Sequence, residues 1–166
     1  MGPAKLAEIL QEAESALKAG EWEAALAKAK TVAASDPSQP EAYFIQGIAT
    51  MAQGNLAEAL PLLQKTTALQ PEHLYAHFNL GLLQTKLQDY PAAKASFDRV
   101  LTLEPAHPEA RLQLAQVLEQ SGDLLGALQA YQELMNLPVI PDGKDYLTLA
   151  VEGVGRVTGR VAGGEV

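Results

Sequence analysis

The sequence predicts an all-α solenoid of four helical hairpins closed by one further helix. The first sign is a 34-residue period: Ala25, Ala59, Ala93 and Ala127 fall on one grid, as do Pro37, Pro71 and Pro105. Gly20, Gly54 and Gly122 share another column with Gln88 in the gap, and Gly47 and Gly81 mark a third. Each period also holds an apolar-periodic segment, a turn, a second such segment and a proline. Finally, alanine and leucine dominate over β-branched and aromatic residues, which favours helix over strand. A fixed period of this size is the mark of stacked units that bury their apolar faces only against neighbours.

The units begin at Leu6, Pro40, Leu74 and Pro108, dividing residues 1–139 into repeats of about 6–39, 40–73, 74–107 and 108–139. In the first unit, Glu12 stands where the repeat family that this pattern resembles prefers leucine, which suits a polar N-terminal capping face. In the second, Asn55 is the expected N-cap of the second helix, and Glu58 three residues on completes a capping-box-like pair. Pro61 lies well inside that helix and should remove one backbone hydrogen bond and bend it.

In the third unit, Tyr75 to Lys86 reads as the first helix, with Phe78, Leu82 and Leu83 at helical spacing. Pro91 to Leu103 reads as the second, with Asp89 as its N-cap and Pro91 in its first turn, where the missing N–H costs little. Asp123 caps the equivalent helix of the fourth unit. Pro71 and Pro105 end their helices.

The small columns have a packing reason. Ala13, Gly47, Gly81 and Ala115 lie mid-way along the first helices, and Ala25 to Ala127 lie early in the second ones. Two helices joined by a short turn approach closely only where neither carries a bulky side chain. Trp22, Leu56, Tyr90 and Leu124, and Ala29, Leu63, Phe97 and Tyr131, then fill the space beside them.

After Pro138 the register is lost, leaving residues 140–166 as a loop, a capping helix and a tail. VIPDG reads as a turn, and Lys144 to about Arg156 as one more helix whose Leu147, Ala150, Val151 and Val154 share a face. That face is expected to cover the end of the fourth unit. Glycines at 153, 155, 159 and 163 each lower helix stability by ~1 kcal/mol, so a frayed tail is expected beyond Gly153.

The repeat resembles the tetratricopeptide repeat. Tyr43, Gly47, Ala59 and Pro71 carry the resemblance in the second unit, and Leu80-Gly81, Ala93, Phe97 and Pro105 in the third. It covers residues 6–139 in unbroken register, with Val32, Thr66, Val100 and Leu134 departing from the alanine the family prefers. The resemblance implies a right-handed superhelix whose first helices line the concave side. It thereby implies a partner-binding groove of Glu41, Phe44, Ile48 and Met51, Tyr75, Phe78, Leu82 and Lys86, and Glu109. The middle of that groove is apolar and aromatic, with polar ends. One subset of the family grips acidic carboxyl tails with a basic clamp. The matching positions here are Leu10 and Glu14, or Phe44 and Ile48, with Asn79 as the later asparagine, so that subset is not expected.

Chemistry is otherwise sparse. The net charge of −8 disfavours binding to phosphate backbones, so no nucleic acid partner is expected. The absence of cysteine excludes disulfides and thiolate metal sites. His73 and His77 have a metal-compatible spacing, but His73 falls in a turn and no third ligand is near, so ordinary packing histidines are expected. No nucleophile elbow, Walker loop or dinucleotide fingerprint occurs, and no cofactor or enzyme activity is expected. MGPAKLAEILQEAESAL lacks the apolar stretch of a signal peptide, and no run reaches a membrane span, which points to the cytoplasm. The function expected is a non-catalytic adaptor, scaffold or assembly factor that holds an apolar or amphipathic peptide in the groove. The alternative is a scaffold that self-associates, the groove of one copy receiving part of another.

Overall fold

In the computed structural model, residues 1–138 and 145–165 are described, and they form helices with no strand among them. In order these are α1 (Pro3–Lys18), α2 (Trp22–Ser35), α3 (Pro40–Ala52), α4 (Leu56–Leu69) and α5 (Leu74–Lys86). There follow α6 (Tyr90–Leu103), α7 (Pro108–Ser121), α8 (Leu124–Met135) and α9 (Tyr146–Ala162). The expected helices of the third unit therefore match α5 and α6 to within a residue. The chain divides into two compact units, Met1–Leu83 and Gln84–Val166.

Turn chemistry sets the helix ends. Gly20, Gly54 and Gly122 adopt φ values of 76°, 84° and 87°, the left-handed region that closes a helix at least cost with glycine. Gln88 occupies the same conformation, φ 60°, and is the one non-glycine residue to do so among the described residues. Asp89 and Asp123 cap α6 and α8 by accepting from the backbone N–H of Ala92 and Gly126. Asn55 stands at the N-cap position of α4, but its side chain makes no capping hydrogen bond, so the expected capping pair with Glu58 is not formed. Helix α4 continues through Pro61 as a single element.

In the first unit the small residues permit the close approach that their columns predict. Ala13, Ala16, Ala25, Ala29 and Ile45 form one buried cluster, and Ala59, Leu63, Leu80 and Leu83 another. A Cβ on Gly47 would lie 2.8 Å from Leu63 Cδ2, so α3 and α4 touch where only glycine fits. Glu12 pairs with Lys28 between α1 and α2, which accounts for the acidic residue at that position.

In the second unit, α9 packs along α8 and reaches α7. The expected contact face requires correction. Tyr146, Ala150, Gly153 and Val157 are buried, while Leu147 and Val151 are 50% and 51% exposed. Helix α9 also runs past the glycines expected to fray it. The register follows from one contact: a Cβ on Gly153 would meet the Tyr131 ring at 2.4 Å, so only glycine can lie over that buried aromatic. Docking Gly153 there rotates Leu147 and Val151 to the outside. The turn expected from VIPDG lies outside the described residues.

Candidate partner-binding surfaces

On the first unit, α3 and α5 supply most of the predicted groove. Phe44, Ile48 and Met51 are half-buried on α3 and pack against the Ala59–Leu63–Leu80–Leu83 cluster while keeping part of their surface open. On α5, Phe78 and Leu82 are likewise half-buried, and Tyr75 is 67% exposed. An exposed tyrosine and half-open aliphatic side chains beside a packed core make a surface that gains by being covered. Lys86 and Glu109 fall in the second unit.

The pivot of this surface is His73, expected from its place in a turn to be an ordinary packing histidine. It is buried, at 8% exposure. The backbone N–H of Ala76 donates to its Nδ1 at 3.1 Å, so His73 is the side-chain cap of α5. The ring proton therefore sits on Nε2, which donates to Glu41 Oε2 at 3.1 Å. The ring also meets that of Phe44, with centroids 4.7 Å apart at an angle of 39°. One residue thus anchors the start of α5 and holds two predicted groove residues, Glu41 and Phe44, in place. Gln39, His73 and His107 share the 34-residue grid. His107 caps α7 in the same way through Ala110, so the periodicity carried a signal for this role. His77 turns instead to the carbonyl of Pro71, with Nε2 at 2.9 Å.

The second unit carries a polar cluster centred on Glu119, whose contacts depend on how α9 docks. Glu119 on α7 accepts from the Tyr131 hydroxyl on α8 at 2.8 Å. Arg156 on α9 grips the same carboxylate with two N–H groups, Nε to Oε1 at 3.1 Å and an Nη to Oε2 at 3.2 Å. Arg160, one turn on, donates to the backbone carbonyl of Glu119 at 3.1 Å. Burial opposes ionisation of Glu119, yet the hydrogen bonds from Arg156 and Tyr131 prevail and hold its carboxyl below the usual range. Burial, and then the adjacent Glu119 carboxylate, push the Tyr131 phenol well up, so it stays a donor. Arg156 and Arg160 stand four apart, which placed them on one helix face. Only the docking of α9 shows that this face meets Glu119.

The sequence model of the tetratricopeptide repeat family matches residues 10–71, 46–93 and 78–135. Among curated proteins, the probable biofilm formation methyltransferase WspC of Pseudomonas putida is 36% identical over 85 residues. That match spans 51% of this chain and 20% of WspC, so the chain covers about a fifth of that relative's length. Among solved structures, MamA from Desulfovibrio magneticus RS-1 superposes with a TM-score of 0.76 at 24% identity, covering 96% of each chain. YrrB, described as a tetratricopeptide protein with an unusual peptide-binding site, superposes with a TM-score of 0.77 at 23% identity. That superposition covers 92% of this chain and 77% of YrrB. Both structural likenesses establish the fold. Among the described residues no helix is long and apolar enough to cross a membrane.

Proposed function

Because this chain belongs to the tetratricopeptide repeat family, whose members are interaction scaffolds, we propose that it is a non-catalytic module that holds an apolar or amphipathic segment of a partner protein. The supporting observation is the surface of α3 and α5 in the first unit, where Tyr75 is 67% exposed beside half-buried Phe44, Ile48, Met51, Phe78 and Leu82. Such a surface takes a short amphipathic helix or an extended peptide through its apolar side chains, with Glu41 supplying a fixed polar edge. The peptide-binding role in YrrB's description agrees with this reading. The likeness to WspC covers only a fifth of that protein and gives no ground for a catalytic role here.

The test is Phe44→Ala combined with Phe78→Ala. Each aromatic anchor contributes ~2 kcal/mol or more when buried by a partner, which is more than tenfold in affinity. The expected result is loss of partner capture from the native cell with the helical circular dichroism retained. Full retention of the partners would move the working surface elsewhere.

A second reading, self-association, is favoured by the apolar side chains that α9 leaves outside, Leu147 and Val151 above all. Light scattering separates the two: growth in mass with concentration supports self-association, and a constant monomer mass excludes it.

A further inference from the structure

At the start of the first unit, α1, the end of α2 and the turn after it frame a pocket of about 330 Å³. Leu6, Leu10 and Val32 supply apolar lining, and Ser35, Asp36 and Gln39 supply polar lining. We propose that this pocket is a binding site for a small, free aromatic heterocycle of two fused rings, with a ring N–H that donates to Gln39. The site is separate from the surface of α3 and α5 and does not rest on the function proposed for it.

The repeat itself shows why the pocket is open and what suits it. Counting 34 residues on, Ala7, Leu10, Ser35 and Gln39 correspond to Glu41, Phe44, Leu69 and His73. In the second unit those positions carry a packed group: the Phe44 and His73 rings lie 4.7 Å apart, and His73 Nε2 donates to Glu41. In the first unit Ala7, Leu10 and Ser35 are shorter than their counterparts, and an amide replaces the imidazole. Two rings and a polar arm are therefore missing there. The space they leave matches two flat rings with one N–H at the edge, which the second unit supplies from its own chain.

Size and polarity agree. An apolar cavity of ~150 Å³ admits benzene, and small-molecule sites begin at about 300 Å³, so this pocket has room for a fused pair of rings. The amide of Gln39 is oriented by its own donation, Nε2 to Asp36 Oδ2 at 2.8 Å. Asp36 is fixed in turn, accepting from the Ser38 hydroxyl at 2.6 Å and the Ser38 backbone N–H at 3.0 Å. Those bonds, the hydroxyl's first, hold the Asp36 carboxyl below its usual range, so it stays an acceptor at neutral pH. Gln39 Oε1 is left as a fixed acceptor that no described residue satisfies. A half-buried acceptor beside an apolar wall rewards an N–H on the ligand and is left unpaired by a ring without one.

The test uses the full chain with carbon-13-labelled methyl groups and follows the signals of Leu6, Leu10 and Val32. The probes are indole, 1-methylindole, which lacks the N–H, and cyclohexanol, which has a donor but no aromatic ring. Saturable shifts with indole and none with cyclohexanol are expected. 1-Methylindole should bind more weakly by about twofold to tenfold, the worth of one hydrogen bond. Gln39→Met should remove that difference between the two indoles. Leu10→Phe with Ser35→Leu copies the second unit's side chains into the pocket and should abolish indole binding with the helical circular dichroism retained. Ser35→Leu alone, at the exposed end of α2, should weaken it, so the filling is tested even if the double variant does not fold. Phe44→Ala with Phe78→Ala should bind indole like the parent; loss there would place the probe on α3 and α5 and overturn the site. Absent shifts, an equal response to cyclohexanol, equal affinity for the two indoles, or full binding in the filled variants likewise overturn it. A blocked tryptophan pentapeptide that binds more tightly than indole overturns the free small molecule as the ligand.

Discussion

Gly153→Ala is expected to destabilise the second unit although alanine is the better helix former. The propensity gain is ~1 kcal/mol at a helical position. Against it stands the ring of Tyr131, whose Cζ, Cε1 and Cε2 would lie 2.4, 2.5 and 2.7 Å from the new Cβ. Ordinary carbon contacts are at about 3.5 Å or more, so ring and helix must separate by about 1 Å. Tyr131 is fully buried, and its hydroxyl is tied to Glu119 at 2.8 Å and Arg156 at 3.3 Å, so the ring cannot swing aside without losing those bonds. Overpacking costs about 1–3 kcal/mol and a strained hydrogen bond to a charged group about 1.5–3 kcal/mol. The net expectation is a loss of ~2 kcal/mol or more. Gly155 and Gly159 on the same helix have nothing within 4 Å of a built Cβ, so Gly155→Ala and Gly159→Ala should each gain ~1 kcal/mol. Thermal melts read the contrast, at about 2–4 °C per kcal/mol for a chain of this size. Amide exchange within α9 should follow the same order, because repeat arrays open locally. If Gly153→Ala melts at or above the parent, like its two neighbours, the packing of α9 on Tyr131 is wrong.

Gln88→Gly should stabilise by about 0.5–1 kcal/mol in urea unfolding, because it relieves a left-handed residue at φ 60°; a loss of stability would show that the side chain matters more than the backbone. His73→Ala removes the cap of α5, the contact with Phe44 and the bond to Glu41, and should cost ~2 kcal/mol, with His73→Asn recovering the capping share; a cost under ~0.5 kcal/mol would refute that role. Glu119 has a depressed carboxyl pKa in the folded state, so its contribution is complete above the ordinary value of 4.5 and fades as pH falls through the lower folded value. Glu119→Gln should therefore be less stable at neutral pH and show a shallower loss of stability below about pH 4.5; an acid limb as steep as the parent's would contradict the linkage.

The helices were legible in the sequence because a 34-residue repeat states the same local solution several times. Gly20, Gly54 and Gly122 mark turns that need φ > 0, and Gly47 marks a contact that leaves no room for a Cβ, so each constraint is local or falls between neighbouring helices. The apolar character of Phe44, Phe78 and their neighbours is likewise a property of single positions. Asn55 shows the limit of such reasoning: the residue stands at the cap, but its side chain makes no bond there. Beyond Pro138 the repeat no longer fixes register, and a helix with apolar residues on several sides can dock on more than one face. Gly153 over Tyr131 decides which, and so sends Leu147 and Val151 outward, brings Arg156 to Glu119, and sets Arg160 at the Glu119 carbonyl. His73 is a parallel case, because its ring meets Glu41 and Phe44 from 32 and 29 positions away in the chain. Local backbone demands are written into single residues, whereas contacts made by side chains far apart in the chain exist only once the helices have packed.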